Sequence, residues 1–63
     1  MTTEEISQLR RYALHLREMV RREETAQTLR ARLPSWTETK RMLLSWADDL
    51  EDEAKAAERE QPR

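Results

Sequence analysis

The sequence predicts an all-α fold, an antiparallel two-helix (αα) hairpin, and three observations lead there. Apolar residues recur at alternating intervals of three and four in two long stretches, as one face of an α-helix requires. A single break around Pro34 separates the two stretches. No segment alternates apolar and polar residues with the period of two expected of a half-buried strand. The expected layout is one module over residues 1–63, with helix one over about 3–33, a break at 33–35, helix two over about 36–59 and a frayed tail at 60–63.

In helix one the stripe is Ile6, Leu9, Ala13, Leu16 and Val20, widened by Tyr12 and Met19. Thr2 or Thr3 stands where a hydroxyl can cap the first turn, and Glu4 and Glu5 complement the positive end of the helix dipole. Beyond Val20 the same face turns polar at Glu23, Glu24, Gln27 and Arg30, while Ala26, Leu29 and Leu33 open a second stripe about a third of a turn away. Neither Gly nor Pro lies between Arg21 and Thr25 to force a kink, so the reading is a continuous helix whose halves face different neighbours. Pro34 ends it, because the residue before a proline is pushed out of the α region.

Ser35-Trp36-Thr37-Glu38 reads as a capping box for helix two, whose stripe runs Trp36, Thr39, Leu43, Trp46, Leu50, Ala54 and Ala57. A break this short makes the helices antiparallel neighbours, with residues whose numbers sum to roughly 69 lying level. The hairpin core expected from that register is Met19, Ala26, Leu29, Leu33, Trp36, Leu43, Trp46 and Leu50. Charge agrees with the pairing, since residues 1–33 carry seven Arg against five Glu and residues 34–63 carry five bases against eight acids. Arg17 and Arg21 are expected near Asp52 and Asp48, and Arg11 near Glu58.

In this register the first turns of helix one meet Glu53, Ala57 and Glu60, which offer little large apolar surface. Leaving large apolar side chains in water forfeits about 1.5 to 3 kcal/mol each, which a small hairpin can hardly spare. Ile6, Leu9, Tyr12, Ala13, Leu16 and Val20 are therefore expected to be covered from outside. The cover would be a second copy, completing a dimeric four-helix bundle, or a larger protein.

Composition narrows the function. The chain has 63 residues, 40% of them charged, with no Gly and no Cys. Without Gly, phosphate-cradling loops are excluded; without Cys, so are disulfides, thiolate nucleophiles and ordinary structural zinc sites. One histidine, His15, leaves little for acid–base chemistry, and no nucleophile–base–acid arrangement can be assembled. The acidic run from Asp48 to Glu53 wraps around a helix and lacks a calcium loop, so it reads as a solvated face. The acidic start lacks the apolar core of a signal peptide, and the longest apolar run, Met42-Leu43-Leu44, is too short to span a bilayer.

The expectation is a cytoplasmic, non-enzymatic protein-interaction module: an adaptor, a regulator or inhibitor, or an accessory or assembly subunit. It would have no cofactor, metal or small-molecule substrate. The alternative is an Arg-rich nucleic-acid-binding hairpin, using the ridge of Arg11, His15 and Arg22 along phosphates.

Overall fold

The computed structural model describes residues 1–61 and contains three helices: α1 over Thr3–Ala26, α2 over Leu29–Arg32 and α3 over Trp36–Glu60. Among the described residues there is no strand. The long helices α1 and α3 pack against each other as a hairpin, with the short α2 in the turn. The Cα trace measures 47 × 17 × 11 Å, so the hairpin is a slab one helix thick.

α1 opens with the capping chemistry its sequence advertises. The Thr2 hydroxyl accepts the Glu5 backbone N–H at 3.1 Å, and the Glu5 carboxylate accepts the Thr2 N–H at 3.4 Å. At the open end of the hairpin, the Gln61 side-chain amide donates to the Met1 carbonyl at 3.0 Å.

The far end of α1 corrects the sequence reading. The helix stops at Ala26 instead of continuing to Leu33. Gln27 adopts a left-handed conformation (φ 50°, ψ 49°), and its N–H donates to Glu24 O while Thr28 N–H donates to Glu23 O at 3.2 Å. These two bonds form a Schellman stop built without glycine. The Thr28 hydroxyl then accepts the Ala31 N–H at 3.3 Å and starts α2. A left-handed non-Gly residue costs roughly 1 to 2 kcal/mol, which the satisfied terminal carbonyls offset. Gln27→Gly should therefore raise the urea midpoint, by the equivalent of about 0.5 to 1 kcal/mol; a lower midpoint would show that this stop does not form.

Leu33 is extended (φ −72°, ψ 143°), as the residue before Pro34 should be. The expected Ser35 capping box is absent. Ser35 is already helical (φ −75°, ψ −6°) and its side chain makes no capping bond. With the preceding turn running straight into α3, the Trp36 N–H is satisfied by Leu33 O at 3.0 Å instead.

Moving the reversal back to Gln27–Ser35 shifts the pairing of the long helices by about one to two turns, so that Leu16 lies against Ala47 instead of Glu53. Arg17 meets Asp48 at 2.5 Å and Glu51 at 3.1 Å, not Asp52. Arg10, not Arg11, pairs with Glu58. Arg21 turns to Glu18 of its own helix at 3.4 Å.

The same shift corrects the expectation of an uncovered seam. Ile6, Ala13, Leu16 and Val20 are all buried within the chain. Ile6 packs with Ala54 and Ala57, with Leu9 against them; Ala13 and Leu16 pack with Ala47, flanked by Leu43 and Leu50. Alanines suffice because small side chains let two helix backbones approach closely, so the backbone of α3 covers what no large side chain does. Of the expected hairpin core, Trp36 is buried and Met19, Leu43 and Leu50 are half-buried. Ala26, Leu29, Leu33 and Trp46 are exposed, Leu29 by 78%. Leu29 and Leu33 lie outside the two-helix contact because α1 ends before them.

Candidate protein-interaction surface

The two flat faces of the slab differ in chemistry. On one, the side chains that cross between helices are ionic. Arg10 and Arg17 lie seven residues apart on α1 and meet Glu58 and Glu51, likewise seven apart on α3, with Asp48 completing the set around Arg17. Nearer the turn, Glu24 Oε2 accepts from Lys40 Nζ at 3.0 Å and from the indole Nε1 of buried Trp36 at 3.3 Å. Glu23 pairs with Arg30 at 3.2 Å, tying the turn to the end of α1.

These contacts polarise the carboxyls. Hydrogen bonding to Arg10 holds the Glu58 carboxyl below its ordinary range and raises the Arg10 guanidinium in turn. Lys40, then Trp36, hold Glu24 low in the same way. A folded-state pKa below the unfolded value gives stability that is present above the unfolded pKa and lost as pH falls through the folded one. The melting temperature should thus stay level from pH 7 to about 5 and fall below about pH 4. Added salt should shrink the acid-induced drop, since these pairs face solvent. A Glu24→Gln/Glu58→Gln chain with an unchanged acid profile would refute the assignment.

On the opposite face the crossing contact is aromatic. The rings of Tyr12 and Trp46 meet at 5.6 Å between centroids and 53° between planes, within the tilted geometry that aromatic pairs favour. Both remain about half exposed, at 50% and 47%. Beside them lies an open groove of about 470 Å³, floored by Leu9 and Leu50 and rimmed by Glu5 and Glu53. Beyond Trp46 the apolar surface continues to Met42, which is 72% exposed. Thus Leu9 and Tyr12 are the residues of the expected interface that stay accessible, and Trp46 joins them from the expected core.

Sequence reasoning separated Tyr12 from Trp46 by assigning one to a partner and the other to the hairpin interior. The signal that would have joined them is their place at the edge of each stripe, with Met19 a step of seven from Tyr12 and Met42 a step of four from Trp46.

Arg11, His15 and Arg22 are exposed along one ridge of α1, as expected. Arg11 and His15 border a shallow depression with Gln8 and Tyr12. The ridge is not purely basic, because the Glu18 carboxylate sits between His15 and Arg22, 4.0 Å from Arg22 and 3.4 Å from Arg21. A phosphate backbone following this ridge would meet that carboxylate.

Among the described residues no group of three or more acidic or histidine side chains is placed to hold a metal, and no helix is long and apolar enough to cross a membrane. Comparison with family models, curated proteins and solved structures gives no match.

Proposed function

We propose that the chain is a non-enzymatic protein-interaction module, an adaptor, regulator or assembly subunit, that binds through the face carrying Tyr12 and Trp46. One observation carries the reading: two half-exposed aromatic rings stand over an open apolar groove, while the opposite face is closed by ion pairs. Contiguous exposed apolar surface with a polar rim is characteristic of protein contacts, and Tyr and Trp are enriched among the residues that dominate their affinity. Glu18, interrupting the basic ridge, favours this reading over nucleic-acid binding.

Affinity capture from the native host tests it, using the chain itself, a Tyr12→Ser/Trp46→Ser variant and a Leu14→Ser control, Leu14 being exposed beside Arg10 and Glu51 on the ionic face. The protein recovered, of whatever sequence, should be lost with the double variant and kept with the control, while circular dichroism shows all three folded. Equal recovery by all three, or recovery of nucleic acid alone, overturns the reading.

A further inference from the structure

We infer that the occupant of the aromatic face is a basic amphipathic helix of another protein, its apolar stripe laid in the groove and its arginines or lysines against the groove's carboxylates; the inference rests on reading that face as protein-binding.

The groove runs between the two long helices. Its α1 wall extends from Glu5 to Tyr12 and its α3 wall from Trp46 to Glu53, about two helical turns each. Side chains at i, i+4 and i+7 of a third helix span the same length, and such a helix adds the second layer that a slab one helix thick lacks. A partner strand does not suit the site. Strand addition needs a free sheet edge, whereas both walls here are helices whose backbone groups are bonded internally.

Charge selects a basic helix. Glu5 and Glu53 line the groove, and no basic side chain does. Trp46, Asp49 and Glu53 follow one another at steps of three and four, so both carboxylates lie on the side of α3 that carries the ring. Among the described residues Asp49 and Glu53 have no ion-pair partner, and Glu5 is bonded to Thr2 in its own capping box. Arg11, His15 and Arg41 border neighbouring depressions and not the groove. Beyond the level where Leu16 meets Ala47, residues 1–15 and 48–61 carry nine Asp or Glu against four Arg or Lys. That end stays acidic even with Asp48 and Glu51 engaged by Arg17. A guanidinium arriving beside Trp46 meets an aromatic ring and carboxylates together, both of which attract it. A nucleic-acid backbone or an acidic bilayer meets repulsion at the same place.

Two peptides of about five helical turns test this by calorimetric titration into the whole chain. Both carry leucines at i, i+4 and i+7, flanked by arginines in one and by glutamates in the other. The arginine peptide should bind at least about tenfold more tightly than its counterpart, and salt raised from about 0.05 to 0.5 M should weaken it several-fold. Asp49→Asn/Glu53→Gln should cost about tenfold. Asp52→Asn removes a charge from the same end at a residue that does not line the groove, so its effect should stay within about twofold. Asp49 and Glu53 are exposed, so their double variant should keep its circular dichroism signal. Tyr12→Ser/Trp46→Ser should abolish binding.

No binding of the arginine peptide at about 1 mM overturns the inference, as do equal affinities for the two peptides and equal losses from Asp52→Asn and the Asp49/Glu53 variant. A dimer of the chain in sedimentation, dissolved by Tyr12→Ser/Trp46→Ser, would put a second copy there instead. In the capture experiment, a partner lost with the double serine variant but kept by Asp49→Asn/Glu53→Gln would leave the protein-binding face standing and the basic helix wrong. If the serine variant loses nothing, the reading beneath the inference falls as well.

Discussion

Leu16→Ala should remove most of the helical circular dichroism signal at 37 °C and sharply lower the urea midpoint. Leu16 is 3% exposed and is the largest side chain in the central cluster, where it packs with Ala13 and Ala47. Truncating a buried leucine costs about 2 to 5 kcal/mol, from the lost transfer energy plus the cavity left behind. Here the buried neighbours are alanines on stiff helices, which cannot fill the space, and only Leu43 and Leu50 flank the cluster. A chain of this size rarely holds more than about 3 to 5 kcal/mol of stability in total. Leu29→Ala is the matched control: Leu29 is 78% exposed, so its loss should stay within about 0.5 kcal/mol. Both unfolding curves belong at one protein concentration, because any association would add to the apparent stability. Equal midpoints for the two variants would mean that the packing of α1 on α3 is not as described.

Ala47→Leu should be nearly as damaging, although it adds apolar surface and leaves helix propensity almost unchanged. Ala47 is fully buried where Leu16 crosses α3, and Ala13 and Ala54 are likewise fully buried along the contact. The added atoms have nowhere to go except between the backbones, and overpacking of this kind costs about 1 to 3 kcal/mol. Pushing the helices apart would also stretch the bridges from Arg17 to Asp48 and Glu51. Ala56→Leu supplies the comparison, since Ala56 is exposed on the same helix and the change there should be close to neutral. Thermal melts of the two leucine variants decide the matter. A melting temperature for Ala47→Leu at or above that of the parent would contradict the close approach of the helices.

The hairpin was legible because it depends on periodicity, which one sequence displays directly. The stripe from Ile6 to Val20, the stripe from Trp36 to Ala57, and Pro34 between them were sufficient. The position of the reversal was not, because Gln27 carries no glycine to announce a left-handed residue. The clues there were weaker: a polar interruption at Glu23 and Glu24, and Thr28 as a hydroxyl ahead of a new turn. That local error propagated, since the register of two antiparallel helices is counted from the turn. It set Ile6 and Leu16 opposite polar residues and made a covered seam look uncovered. Counting large side chains misled for a second reason, which is that alanine covers a neighbour by admitting backbone. The aromatic face was legible only in fragments, because Tyr12 and Trp46 belong to different helices and their meeting depends on that register.

Trp36 and Trp46 occupy opposite kinds of environment, which makes the chain its own optical probe. The Trp36 indole is enclosed near the turn and bonded to the Glu24 carboxylate, whereas Trp46 stands half in water beside Tyr12. Steady-state emission is therefore a sum of a blue component from one and a red component from the other. A dissolved quencher such as iodide reaches the red one first, while protonating Glu24 perturbs the blue one first. Spectra of the two single Trp→Phe chains would separate events at the reversal from events on the open face, with no label attached.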